Sequence, residues 1–538
     1  FPDRLKALRL NPDAIEEVIV HVPQLHQGSR IGTKPHRIPN EPGKQGSLQI
    51  YAFITTNDGY IDYEGARKGL EIFGQELREE ARTPRRHPNI DLLEVIVALR
   101  DKLRADVIRR DSFKPMPEGL SSQRLEQIAR EFETPFLIYD EAGIRQTLRS
   151  LYSAFSWNSG FREFFAVKAC PIPDILKICR EEGAGVDCSS DTELTLADRT
   201  GIIGENIMFT SNETPADFFR QARQLGAIIN FDDITHIPYF EENVGSLPEL
   251  CCVRYNPGSE RVGNSIIGNP VEAKYGMTRE QVFQAFELMR RKGVKRFGLH
   301  TMVASNELNP QYHIDTAVML FDLVRQVKAE TGIDVEFVNT GGGWGVNYKP
   351  EQLPINPNEI GQGVKDAYER IIVKNGLAPL KIFMENGRFV TGPHGWLVTR
   401  ATHQKHIYRE YIGVDACMAD FMRPGVYGAY HHILVPGKEH LPHNMIYDIV
   451  GGLCENNDKF AVQRVLPEIE PGNLLTLCDA GAHGRAMGFN YNGRRRCQEL
   501  LLREDGEVEM IRRAETPEDY FATLHFPGSE YSDLAAPK

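Results

Sequence analysis

Between residues 164 and 385, short apolar, β-branched or aromatic runs recur eight times, each followed by a segment with apolar residues at helical spacing. The runs are Phe164–Lys168, Gly185–Ser189, Ile207–Thr210, Ala227–Asn230, Leu250–Tyr255, Arg296–His300, Val335–Asn339 and Lys381–Glu385. Strands alternating with helices imply right-handed βαβ units and a parallel sheet. Eight such strands close a (β/α)8 TIM barrel, whereas doubly wound sheets usually stop at five or six. A barrel takes about 250 residues, so a chain of 538 carries more than one domain.

Past residue 395 the pattern changes to strand-like runs separated by turns: Trp396–Gln404, Met445–Val450, Leu474–Cys478 and Glu507–Arg512. The expected organisation is an α/β barrel over 119–395 and a C-terminal β-rich domain over 396–538, to which a strand around 134–140 is joined. Residues 1–118, which contain no cysteine, read as an N-terminal α/β accessory module of unknown role. Within it, 26–47 reads as a loop, Leu48–Thr55 as a strand, Asn57-Asp58-Gly59 as a turn, and Tyr63–Ala81 and Ile90–Arg109 as helical, with Phe113–Gly119 as a linker.

Lys plus Arg number 62 against 74 Asp plus Glu, a net charge of −12, which offers no general attraction to nucleic acid or anionic lipid. No run approaches the roughly 18 apolar residues of a membrane span, and Phe1–Arg9 has no signal-peptide pattern. A cytoplasmic location is expected, or an organellar one if a leader preceded Phe1. The nine cysteines are odd in number and lack short repeated spacing, against both a disulfide framework and a metal site.

If the eight strands are right, chemistry belongs at their C-terminal ends. Lys168 ends the first run, Asp187 lies near the end of the second, Arg254 near the end of the fifth and His300 ends the sixth. Gly341, Gly342 and Gly343 follow the seventh, and Glu385 ends the eighth. A lone charge at a strand end is more often a salt-bridge partner; six strands converging on one rim reverse that reading. An apolar strand around Lys168 would desolvate its ammonium, as suits a Schiff-base lysine. The glycines leave room for an anion to approach backbone N–H groups. A lysine for an aldehyde, glycines for a phosphate, a carboxylate for a ring nitrogen and a histidine for a ring face describe a pyridoxal 5'-phosphate site.

From about Thr134 to Phe526 the chain resembles the fold type III pyridoxal-phosphate decarboxylases, the ornithine/diaminopimelate group, and within it the diaminopimelate decarboxylases. Phe-Ala-Val-Lys-Ala-Cys (165–170), Asn-Thr-Gly-Gly-Gly (339–343), Met-Glu-Asn-Gly-Arg (384–388), Arg-Pro-Gly-Val-Tyr-Gly (423–428), Cys-Glu-Asn-Asn-Asp (454–458) and Asp-Ala-Gly-Ala-His-Gly (479–484) carry the likeness. The resemblance implies that Lys168 takes the cofactor's aldehyde, His300 stacks on its ring and Glu385 pairs with its nitrogen, with Asp187, Arg254, Gly343, Gly387 and the backbone to Arg388 around it. Arg388, Arg423 and Tyr427 would hold the carboxylate of the substrate's non-reacting end, Glu455 its ammonium, and Cys454 would reprotonate the carbon after CO2 leaves. In the family the Cys-Glu pair comes from the second subunit, so a homodimer with shared active sites is implied.

Three departures stand out. His300-Thr-Met-Val-Ala-Ser305 carries an insertion relative to the family's His-x-Gly-Ser, leaving open which hydroxyl meets the phosphate, Ser305 among them. Asn386 replaces a proline, which is expected to loosen its turn. His483 replaces a tyrosine that touches both phosphate and substrate, so His483 or the nearby Tyr491 would take that place. The implied reaction is decarboxylation of meso-2,6-diaminopimelate to L-lysine. A related amino acid such as D-lysine, D-ornithine or carboxynorspermidine, and a non-catalytic binding role, are the alternatives; an alanine-racemase-like isomerase fits less well, because it would place Arg where Glu385 stands.

Overall fold

The computed structural model describes residues 1–22, 34–80, 87–263 and 268–526. Its centre is one closed barrel of eight parallel strands: Arg162–Ala166, Gly185–Cys188, Ile207–Thr210, Ile228–Phe231, Leu250–Tyr255, Arg296–Thr301, Val335–Asn339 and Lys381–Met384. Along each strand alternate side chains face opposite ways. One set, Phe164, Met208, Ile228, Leu250, Cys252, Phe337 and Phe383, forms a cluster of its own, with Phe337 and Phe383 stacked at 4.3 Å. The other set, including Phe165, Val186, Phe209, Ile229 and Val253, merges with residues of the flanking helices in the main core.

The eighth strand closes the barrel on the first, with Phe383 opposite Arg162 and Met384 opposite Glu163. Glu163 is fully buried. Its carboxylate accepts a hydrogen bond from the backbone N–H of Asn386 and another, at 3.2 Å, from the Asn386 side-chain amide. Burial pushes the Glu163 carboxyl well above its usual range, although both bonds oppose that. Asn386 therefore does not loosen its turn; it anchors the turn to the first strand with two donors, neither of which a proline possesses.

Phe136–Asp140, just ahead of the barrel, runs antiparallel to Gly395–His406 and parallel to Gln498–Leu502. The chain segments that enter and leave the barrel thus lie side by side in a nine-stranded sheet. No helix among the described residues is long and apolar enough to cross a membrane.

The N-terminal residues build a four-stranded antiparallel sheet in the order His36–Pro39, Ile15–His21, Leu103–Arg109, Tyr60–Ile61, with its own apolar cluster. Here the sequence misleads. Residues 48–54 lie in the helix Gln45–Ile54, which buries Leu48, Tyr51 and Ala52; those positions have helical spacing too, and a short apolar run does not distinguish the two periods. The expected helix over Ile90–Arg109 divides into Pro88–Leu99 and the strand Leu103–Arg109, with Arg100 in the left-handed region at φ 51°. Of the expected 26–47 loop, 26–33 lie outside the described residues, and the remainder includes a strand and a helix start. The span 113–119 is a series of turns fixed to the body of the protein, Lys114 forming a buried ion pair with Asp479 at 2.8 Å.

The Glu163–Asn386 joint gives a test. Asn386→Pro, although it restores the family's residue, strands a buried carboxylate; it should cost about 1–3 kcal/mol in denaturant unfolding of the full chain. Unchanged stability would show that the joint contributes nothing.

Candidate active site

The first barrel strand ends at Ala166, and a single 3-10 turn, Val167–Ala169, lifts Lys168 onto the rim. Lys168 is exposed, not desolvated as the apolar run around it implied, because it stands on the turn beyond the strand. Asp187 and Glu385 both feel its charge. Gly387 packs here because a Cβ would lie 2.7 Å from the Cβ of Ala169, which presses the turn after the eighth strand onto the lysine's turn.

Glu385 is the best-held group on the rim. One oxygen lies 3.0 Å from His300 Nε2 and the other accepts from Asn339 Nδ2 at 2.6 Å. Burial pushes its carboxyl up, but the facing His300, with Lys168 and Arg254 beyond, outweighs this and holds it below the usual range. Asp187 goes the other way: burial and then Glu385 raise it well above its usual range. The neighbouring carboxyls are thus shifted in opposite directions. Arg254 reaches Asp232 at 3.2 Å and lies over the Tyr275 ring at 4.0 Å.

The glycine run nests against backbone. A Cβ on Gly341, Gly342 or Gly343 would come within 2.4 Å of a carbonyl oxygen, of Thr301, Glu385 and Ala304 respectively. Packing alone therefore demands glycine at all three. What points to an anion is the N–H groups: Gly341 donates to Asn339 Oδ1 at 2.9 Å, Gly342 finds only the weakly accepting Met302 sulfur at 3.3 Å, and Gly343 has no acceptor among the described residues. Ser305 lies in the bend that follows the sixth strand, half-buried. Asp187 Oδ1, Arg254 Nε and His300 Nδ1 are buried without a partner among the described residues. Unmet donors at the glycines, orphaned polar atoms on three strands and an accessible lysine fit pyridoxal phosphate.

Beside this group Arg388 and Arg423 both donate to one oxygen, the hydroxyl of Tyr348, at 2.7 and 3.0 Å. His483 stands next to them. Its backbone N–H donates to Ala169 O at 2.8 Å, its φ is 54°, and burial, then Arg388, Arg423 and Lys168, hold its imidazole well below the usual range and so neutral. Tyr427 and Tyr491 are exposed, at 63% and 51%. Cys454 is exposed and Glu455 half-buried; they sit on a loop tied by Leu453 N–H to Asp458 and Cys454 N–H to Asn492 Oδ1, each at 2.8 Å. Among the described residues no hydrogen bond or ion pair joins either of them to Lys168, Glu385 or His483.

Sequence reasoning passed over Tyr348, Asn339 and Asp232. Asn339 was visible as a polar residue ending a barrel strand, and was absorbed into the glycine motif. Tyr348 sits in the irregular segment beyond that motif, where no periodicity marks it.

A family model described as "Pyridoxal-dependent decarboxylase, pyridoxal binding domain" matches residues 141–392. A second, for an uncharacterized protein conserved in bacteria, matches 13–107. Protein TabA of Pseudomonas amygdali pv. tabaci is 41% identical over 75% of this chain and 94% of its own length. The diaminopimelate decarboxylase of Methanothermobacter thermautotrophicus is 32% identical over 74% of this chain and 94% of its own. The crystal structure of the M. jannaschii diaminopimelate decarboxylase in co-complex with L-lysine superposes with a TM-score of 0.69 at 26% identity, covering 74% of this chain and 94% of that one. With these likenesses spanning barrel and β domain alike, and the lysine, glycine and glutamate positions gathered on one rim, the chain belongs to the pyridoxal-dependent decarboxylases.

Proposed function

We propose that the enzyme removes the D-centre carboxylate of meso-2,6-diaminopimelate as CO2, leaving L-lysine. One observation carries the choice of substrate. Arg388 and Arg423 share a single neutral phenol oxygen; Arg423 is 6% exposed, and its Nε is buried without a partner among the described residues. Two guanidiniums without a carboxylate beside the lysine await an anionic group on the ligand. A substrate with an amino-acid head group at its distal end supplies one, and a simple diamine precursor does not. The name of the M. thermautotrophicus relative and the L-lysine in the M. jannaschii structure agree with this.

Pyridoxal phosphate bound through Lys168 supplies the electron sink for the pair left on carbon when the C–C bond to the carboxylate breaks. The residues of the chain do the rest. Glu385 would keep a proton on the ring nitrogen of the bound cofactor, and the N–H groups of Gly342 and Gly343 would hold its phosphate. Arg388 and Arg423 grip the distal carboxylate, and His483, neutral beside them, contributes a hydrogen bond without a third positive charge. Glu455 takes the distal ammonium, and the Cys454 thiol gives its proton to the carbon that lost CO2. Because among the described residues no hydrogen bond or ion pair ties the Cys454 loop to Lys168 of the same chain, we assign it to the site of a second copy, in a homodimer with shared active sites.

Purified enzyme should release CO2 from meso-diaminopimelate well above D-lysine and D-ornithine controls; no excess over those controls would overturn the substrate. Lys168→Ala should lose both the visible absorbance of bound cofactor and activity, and a band that persists would assign the lysine wrongly. Mixing inactive Lys168→Ala with inactive Cys454→Ala protein should restore about a quarter of wild-type activity, as half the dimers form mixed and each has one intact site. No recovery would place Cys454 in its own chain's site.

A further inference from the structure

The N-terminal module touches the decarboxylase body at several places, two of which lead to the site arginines. Arg109, ending the last strand of the module's sheet, makes a bidentate ion pair with Glu351 at 2.8 and 2.7 Å, and both groups are buried, with side chains 10% and 1% exposed. Arg9 O accepts from Leu353 N–H at 2.9 Å, Asn11 N–H donates to Glu351 O at 2.7 Å, and Leu10 bridges to Gln352 in antiparallel fashion. The segment 349–353 is thus pinned from the module by a short strand pairing and an ion pair. It begins directly after Tyr348, whose hydroxyl receives both site arginines.

A second route leads to the same place. The Arg109 guanidinium lies 4.9 Å from the Tyr430 ring centre, and Tyr430, Tyr348 and Val346 form one buried cluster. Asn57, at the turn before the module's shortest strand, donates to Gly428 O at 2.8 Å. Gly428 ends the helix Arg423–Tyr427, which carries the other site arginine. Tyr60 accepts from Gln463 Nε2 at 2.9 Å, and Arg104 also bonds Gln463. These contacts reach both segments that carry Tyr348 and Arg423, beside others at Gln463 on the strand Lys459–Leu466 and, through Arg9 at 3.9 Å, at Glu359 on the helix Pro357–Ile371.

We propose that the N-terminal module is a built-in specificity element: through Arg109 and Glu351 it fixes Tyr348, and Tyr348 sets the spacing of Arg388 and Arg423 that selects a ligand with a distal carboxylate. Arg109 and Glu351 are positioning residues in this scheme and touch no substrate. The inference rests on the reading of the arginine pair given above. It adds a role for residues 13–107, which match a family model described as an uncharacterized protein conserved in bacteria.

The geometry supports a lever of this kind for a physical reason. A hydroxyl shared by two guanidiniums has one position that satisfies both, and a ring packed on Tyr430 with its following residues clamped reaches that position without loss of side-chain freedom on binding. Released at 349–353, the ring would still pack, but its oxygen would no longer be fixed between the arginines.

The test is calorimetric titration of the full-length holoenzyme with L-lysine and with cadaverine, which differ only in the carboxylate. Arg109→Met alone would leave Glu351 buried and unpaired, so the double variant Arg109→Met/Glu351→Met removes the ion pair while keeping packing; Tyr348→Phe serves as the direct comparison. The wild type should prefer L-lysine to cadaverine, and both variants should lose about tenfold of that preference through weaker L-lysine binding, with the cadaverine Kd and the unfolding temperature little changed. A preference kept within twofold of wild type in the double variant overturns the lever. Equal weakening of both ligands, or a fall in unfolding temperature without a change in preference, makes the contact merely structural and also overturns it. A wild type that shows no preference overturns instead the reading of the arginine pair, and the inference falls with it.

Discussion

Everything on the rim depends on the eighth strand closing onto the first. Parallel strands have no hairpin to hold them in register, so closure relies on few pairings, here Phe383 with Arg162 and Met384 with Glu163. Beyond the last pairing the chain leaves the barrel and turns, and at that point Asn386 fastens it back through two hydrogen bonds to the buried Glu163. The residues on either side of Asn386 are Glu385 and Gly387, the one facing His300 and the other pressed on the Lys168 turn. A slip at this joint would move the carboxylate and the lysine apart together.

Given that frame, the rim sorts its charges by neighbour and not by residue type. Asp187 and Glu385 are both buried carboxyls, yet the histidine opposite Glu385 lowers one while burial and its neighbour's charge raise the other. Burial first, and then the charges of Arg388 and Arg423, hold the His483 imidazole well below its usual range. The result is one fixed negative charge at the end of the eighth strand and a concentrated positive patch around Tyr348, which matches the chemistry of a cofactor with a protonated ring and a ligand with a second carboxylate.

Much of this was legible in the sequence, for a definite reason. The barrel strands are buried on both faces and read as continuous apolar runs, so their number and nearly all their ends were visible, with Lys168 carried past its strand by a single turn. Motifs placed Glu385, Arg388 and Arg423 because they lie on elements whose local pattern is strong. Legibility failed where a side chain's meaning comes from a distant partner. Asn386 looked like a loosened turn until Glu163, 223 positions away, was seen to take both its donors. Leu48–Thr55 reads as a strand, yet 48–54 belong to the helix Gln45–Ile54, because a short apolar run fits both periods. Tyr348 carried no signal of its own.

We propose that the rim holds an amino-acid ligand between Lys168 and the Arg388–Arg423 pair, next to a loop from a second chain. The most direct measurement is a crystal structure of the holoenzyme soaked with L-lysine. The account predicts the lysine carboxylate bidentate on Arg388 and Arg423 beside Tyr348, with the partner subunit's Cys454 facing the cofactor. Lysine bound away from the arginines, or a Cys454 loop that stays remote from every Lys168 in the crystal, would contradict it.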